Sequence, residues 1–203
     1  MDLPPTESFE LPQDVLKRLP RRDPEALSTF FDAWFERVYA FVHRMVPDEH
    51  LAEDLTQDVF LLIHRSIGSY DPRRDIRPWV YTIATNRVRD HWRSRRHRDT
   101  QSEASIERGR AADVVPASRS SERPEADLER AELQALVQQA VEALPEGMRV
   151  TVALRALGGL SFEEIGRIVD RSEVAVRKRY SRALDQLRES LDRSHRVHTE
   201  GTP

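Results

Sequence analysis

The sequence predicts an all-α fold of two small helical domains joined by a flexible linker, the second containing a helix-turn-helix. Apolar residues recur at helical spacing on both sides of a polar stretch, and no segment alternates with the period of a strand. The stretch between them, residues 99–127, is rich in Ser, Ala, Arg, Glu and Pro and holds few large apolar residues beyond Ile106, Val114 and Val115.

The elements follow in order. Residues 1–11 carry Asp2, Glu7 and Glu10, lack the basic and apolar stretches of a signal peptide, and read as a disordered start. Asp23 before Pro24 is an N-cap followed by proline at the first helical position. Leu27, Phe30, Phe31, Trp34, Val38, Phe41, Val42 and Met45 then keep helical spacing until Pro47. A second helix, from about Asp48 to Ser66, is expected to bury Leu51, Leu55, Val59 and Leu62 and to turn Asp54, Gln57, Asp58 and Leu61 outward. After a loop with Gly68 and Asp71-Pro72, a third helix starts near Pro78 and runs towards Arg96, with Thr82, Thr85, Asn86, Arg89 and Arg93 on one stripe. These helices form a first domain over residues 1–98, followed by the linker over 99–127.

The second domain is expected over residues 128–191. Leu133, Leu136, Val137, Ala140, Val141 and Leu144 make one amphipathic helix, and Pro145 opens another that Gly158-Gly159 closes. Ser161 and Glu164 have the spacing of a capping box and start a short helix through Ile165 and Val169. Asp170, Arg171 and Ser172 make a tight turn, and a last helix runs from Glu173 to about Leu191. Two helices joined this way, with Gly166 where they must approach closely, describe a helix-turn-helix. Residues 192–203 read as a disordered tail.

Composition removes whole classes of function. The longest uninterrupted apolar stretch, Val59 to Ile63, is far short of the roughly 20 residues of a membrane span, so a cytoplasmic protein with no membrane insertion is expected. With no cysteine there is no disulfide, no thiolate nucleophile and no sulfur-ligated zinc. His50, Asp54 and His64 are conceivable metal ligands, but scattered histidines on polar faces are usually solvated, so no metal and no cofactor are expected. Clustered carboxylates, a Ser/His pair and a phosphate-binding glycine loop are all missing from the sequence, which predicts no catalytic residues and no enzyme.

The net charge of −3 hides an asymmetry. Residues 27–70 hold seven acidic and three basic residues, whereas residues 71–98 hold three acidic residues and nine arginines. Such a division suits two partner surfaces, one protein and one polyanionic. The run Arg87, Arg89, Arg93, Arg95, Arg96 and Arg98 lies beside Trp79, Tyr81 and Trp92, a combination of backbone-neutralising cations and stacking rings that fits opened DNA. In the last helix, Glu173, Val174, Arg177 and Lys178 occupy the part that a helix-turn-helix turns towards base edges, and Arg179 and Arg182 are better placed for phosphates.

Two motifs carry a family resemblance. Ala52 to Phe60 (AEDLTQDVF), Tyr70-Asp71-Pro72 and Ile76 to Arg87 (IRPWVYTIATNR) resemble region two of the extracytoplasmic-function sigma factors. Leu144-Pro145, Gly159 to Ile165 (GLSFEEI) and Ala175 to Ala183 (AVRKRYSRA) resemble region four. The resemblance implies an alternative sigma factor that binds core RNA polymerase and directs transcription initiation at selected promoters. It implies that Asp54, Gln57, Asp58 and Leu61 dock on the beta-prime clamp helices. Arg77, Trp79, Asn86, Arg87, Arg89 and Arg93 then engage the minus-ten element, with Asn86 at the family's asparagine. Glu173, Val174, Arg177, Lys178, Arg179 and Arg182 read or grip the minus-thirty-five element while region four meets the beta flap. An anti-sigma factor is a further implied partner. Asp170 stands where a turn glycine is usual, and Val174, Ala175 and Lys178 replace the usual glycine, threonine and serine. Pro78 sits between the arginine and tryptophan of the region-two motif. The rival reading is a helix-turn-helix regulator with an N-terminal sensing domain, which leaves the acidic and arginine-rich helices without a role.

Overall fold

The computed structural model describes the backbone of residues 11–103 and 124–200 and the side chains of residues 11–98 and 133–193. The described elements are all helical: α1 (Gln13–Arg18), α2 (Pro24–His43), α3 (Glu49–Ser66), α4 (Ile76–Glu103), α5 (Pro124–Glu142), α6 (Glu146–Ala156), α7 (Phe162–Val169) and α8 (Glu173–Glu200). Short 3-10 turns cover Leu19–Arg21 and Ile67–Ser69. The centre of the expected linker, residues 104–123, and the expected disordered start, residues 1–10, lie outside the described residues.

Local chemistry explains most boundaries. The Asp23 carboxylate accepts from the Ala26 amide at 3.0 Å, and Asp48 accepts from Leu51 at 2.9 Å, so α2 and α3 each begin on a side-chain cap. Asp75 does the same for the Arg77 amide at 2.9 Å, and α4 therefore starts at Ile76, two residues before Pro78. Proline is tolerated there because the first-turn amides have no intrahelical partner. Helix α7 opens on a complete capping box, with Ser161 Oγ accepting from the Glu164 amide and the Ser161 amide donating to Glu164. Helices α4 and α8 both run past their expected ends, to Glu103 and Glu200.

The N-terminal helices bury Phe30, Trp34, Val38 and Phe41 of α2 against Leu55, Val59 and Ile63 of α3 and Val80, Tyr81, Ala84 and Val88 of α4. Two expectations are corrected here. Leu62 is 37% exposed, and Ala52, Thr56 and Ile63 take the buried face of α3, because small residues let it approach its neighbours. Thr85 is fully buried and does not belong to the open stripe of α4. Short α1, within the stretch before Asp23 where no helix was expected, covers the edge of this core with Val15 and Leu16.

The C-terminal helices build a second core from Val150, Leu154, Leu160, Ile165, Ile168 and Val176. Leu133, expected on the apolar face of α5, is 59% exposed, while Ala140, Val141 and Leu144 are buried. The two cores are continuous. Tyr81 donates its hydroxyl to the Leu157 carbonyl at 3.3 Å, and Arg149 donates from Nη1 to the Met45 carbonyl at 3.0 Å with its guanidinium 6.0 Å from the Trp92 ring centre. Arg96 pairs with Glu146 at 2.7 Å. None of the described helices is long and apolar enough to cross a membrane.

Candidate functional site

Three faces hold the residues singled out by sequence. On α3, Asp54, Gln57 and Leu61 are exposed, Leu61 at 55%, and Asp58 lies beside them, half-buried. Spacings of three and four residues make one stripe of them. Asp58 is engaged: its Oδ2 accepts from Arg87 Nε at 2.9 Å and Nη2 at 2.6 Å. Arg87 therefore belongs to the α3 side of α4 and bridges the acidic stripe to the arginine-rich helix.

On α4 the expected DNA contacts divide three ways. Trp79, Asn86 and Arg93 are seven residues apart, close to two helical turns, and stand one above another. Asn86 is exposed, Arg93 pairs with Asp90 at 3.3 Å, and Trp79 is half-buried with its ring 5.5 Å from that of Tyr70. Arg77, at the start of the helix, pairs with Asp75. Arg87 faces α3, and Arg89 faces α7, donating to the Ile168 carbonyl at 3.2 Å. Burial first, and then the nearby Arg179 and Arg171, lower the Arg89 pKa below the usual arginine value.

The loop before α4 is braced by its own charges. Asp71 accepts from the Arg73 side chain at 3.0 Å and the Arg73 amide at 3.1 Å, and these bonds hold its carboxyl down at about 2. Tyr70, buried under the loop, donates to the Arg74 carbonyl at 2.7 Å, and burial pushes its hydroxyl up to about 12. Trp79 thus rests on a supported platform.

The helix-turn-helix is formed by α7 and α8. Asp170 adopts the left-handed conformation, φ 54°, which a turn of this length needs. A Cβ on Gly166 would stand 2.6 Å from the Arg171 carbonyl oxygen, so only glycine lets the turn close over α7. Val174 is 63% exposed, and Lys178 and Arg182 are exposed as well. Arg177 is held by Glu173, its Nη2 donating to Oε1 at 2.6 Å. Arg179 is turned inward: its Nη1 is the nearest heavy atom, at 3.3 Å, to a Cβ built on Gly147 of α6. Sequence reasoning placed Arg179 with the outward cations because it could not see that packing. It also passed over Phe162 as an aromatic ring beneath Arg177, since Phe162 is legible in sequence only as the first apolar residue of α7.

Among the described residues no group of three or more His, Asp or Glu side chains is placed to hold a metal ion.

Comparison with known proteins names the arrangement. Residues 30–98 match Sigma-70 region 2, and residues 134–187 match Sigma-70 region 4. The RNA polymerase sigma factor CarQ of Myxococcus xanthus is 38% identical over 167 residues, covering 82% of this chain and 90% of CarQ. The chain belongs to the extracytoplasmic-function sigma factors. RNA polymerase sigma-H factor of Pseudomonas aeruginosa is 29% identical over 182 residues, 90% of this chain and 94% of that one. The sigma factor RpoE, solved in complex with the anti-sigma factor NepR from Bartonella quintana, has the same fold: TM-score 0.63 at 21% identity, covering 81% of this chain and 96% of RpoE. This sigma factor works as an alternative specificity subunit in transcription initiation and is a transcription factor, not an enzyme. Its N-terminal half matches region 2, which removes the rival of a ligand-sensing domain.

Proposed function

We propose a residue-level division of labour within this sigma factor. The α3 stripe of Asp54, Gln57, Asp58 and Leu61 docks on the beta-prime clamp helices of core RNA polymerase. Trp79, Asn86 and Arg93 engage the opened minus-ten element, with Arg77 and Arg89 at the margins of that face and Arg87 acting between it and the polymerase. Glu173, Val174, Arg177, Lys178 and Arg182 serve the minus-thirty-five element, with Arg179 behind them, and region four meets the beta flap. The boundaries near residues 98 and 128 separate the two DNA-binding units.

The observation that carries this reading is the open face of α4. A ring braced on Tyr70, an exposed amide side chain and a cation stand in line, which are the three chemistries needed to stack, read and neutralise an unpaired strand. The acidic stripe on α3 supports the protein-docking half of the reading, because acidic side chains repel DNA.

An anti-sigma factor is a further partner in this reading, since a sigma factor of the same fold has been solved with one. A cytoplasmic location follows from the polymerase partner.

The test is a pull-down of core RNA polymerase by the full chain, joined to run-off transcription on genomic fragments. Asp54→Arg with Gln57→Arg, both at exposed positions of the stripe, should reduce captured core at least tenfold and abolish run-off, without lowering the melting temperature of the chain. Equal capture of core by the double variant removes the docking assignment.

A further inference from the structure

Arg177 lies where two helices converge on one side chain. Its Nε and Nη2 both donate to Glu173 Oε1, at 2.9 and 2.6 Å, along one edge of the guanidinium. Its guanidinium carbon stands 4.7 Å from the centre of the Phe162 ring, within cation–π range. Phe162 is the first residue of α7, half-buried, with its ring 5.4 Å from that of Tyr180. Arg155, fixed by donating to the Leu160 carbonyl at 2.8 Å, brings a second guanidinium to 4.9 Å from the same ring.

An exposed ion pair four residues apart on one helix contributes little by itself. The ring changes the argument, because it belongs to the other helix of the motif and fixes the plane in which the guanidinium lies. A guanidinium carries five N–H donors in a flat fork. With Glu173 occupying the Nε–Nη2 edge, the end-on edge remains, where one N–H of Nη1 and the second N–H of Nη2 match the O6 and N7 acceptors of guanine. Ordering a long side chain before DNA arrives removes an entropy cost from binding and narrows the set of bases it can satisfy.

We infer that Phe162 and Glu173 are positioning residues that hold Arg177 for guanine at one position of the minus-thirty-five element. This rests on the proposed entry of α8 into the major groove. Phe162 does not touch DNA in this arrangement; it acts through Arg177. Glu173, which sequence alone offers as a reader of cytosine, here acts by the same route.

The experiment uses holoenzyme on a promoter library randomised at the minus-thirty-five element, with selected sequences as the readout. Arg177→Ala should lower the preference for guanine at one position about tenfold. Phe162→Leu, which keeps an apolar side chain against Tyr180, should lower preference at that same position about three- to fivefold and leave the others unchanged. Combined with Arg177→Ala it should add nothing, and Phe162→Tyr, which keeps the ring, should restore the parental motif. Glu173→Ala puts the same question at a side chain outside the core and should relax the same position. A loss from Phe162→Leu that is uniform over the library at unchanged melting temperature, or one that adds to that of Arg177→Ala, overturns the inference. If Phe162→Leu lowers the melting temperature, Glu173→Ala decides, and relaxation at a different position would make Glu173 a base reader. If Arg177→Ala leaves the motif intact, the groove assignment of α8 fails and the inference fails with it; a motif relaxed by Arg177→Ala but not by Phe162→Leu or Glu173→Ala removes the positioning role alone.

Discussion

Helix α4 meets neighbours along both edges of the stripe proposed to face DNA, whereas the corresponding stripe on the first turns of α8 is exposed. On α4, Arg87 is tied to Asp58 of α3 and Arg89 to the Ile168 carbonyl of α7. On α8, Val174, Lys178 and Arg182 are exposed, and the held Arg177 is bonded within its own motif. The two helices proposed to read the promoter are therefore not equally available. The minus-ten and minus-thirty-five elements lie about 25 base pairs apart, roughly 85 Å along a straight duplex at 3.4 Å per pair. On the proposed assignments, contact between Arg89 and α7 is broken when both helices are on their elements. Reading with α8 needs no change in this chain; full use of α4 needs region four to move away.

The largest effect should come from preventing that movement. The chain has no cysteine, so Arg96→Cys with Glu146→Cys introduces a unique pair where the native side chains meet at 2.7 Å across the two regions. Joining them with a short cleavable bis-maleimide should reduce run-off transcription to background, and cleaving the linker should restore it. Each single-cysteine chain, treated identically, should transcribe normally. Full activity of the joined chain would mean that the region-four contact does not obstruct promoter use.

A smaller and more local effect is expected on the open face of α4. Asn86→Ala should lower open-complex formation about tenfold on duplex promoters while leaving closed-complex binding nearly unchanged, because a side chain that reads an extruded base acts only after melting. Permanganate footprinting on duplex and pre-melted templates separates the steps. Equal occupancy and opening by the variant and the parent chain would leave Trp79 and Arg93 as the readers of that face.

The contrast between α4 and α8 also marks where sequence reasoning reaches its limit. The caps at Asp23 and at the Ser161–Glu164 pair were legible, since they act within three residues of themselves. The exposed stripe of α3 was legible from spacing alone, as was the helix-turn-helix. Position on an element was less so. Leu62 and Ile63 differ by about 100° around α3, and the choice of Ile63 for the core depends on what Ala52 and Thr56 allow. Short α1 has only six residues and owes its place to the burial of Val15 and Leu16, a tertiary effect. The orientations of Arg89 and Arg179 depend on contacts between helices far apart in sequence, which no local pattern encodes. Helix α8 continues beyond Leu191 without the apolar period that was used to delimit it.

The smallest effect should come from Arg182, and it tests whether the open face of α8 contains two kinds of contact. Arg177 and Arg182 are five residues apart, so they point about 140° apart around the helix axis. With Arg177 directed at base edges, Arg182 lies on the opposite margin, next to the backbone of one strand. Arg182→Ala should therefore weaken binding to all minus-thirty-five sequences alike and leave the selected motif unchanged. Removing one phosphate contact should reduce the magnitude of the log-affinity against log-salt slope by about 0.9. Holoenzyme titrations at several salt concentrations on one promoter give the slope, and the randomised library gives the motif. If instead Arg182→Ala shifts the preference at one base position with an unchanged slope, α8 is rotated in the groove so that Arg182 faces the bases, and the margin assigned to phosphates becomes the one that carries Arg177.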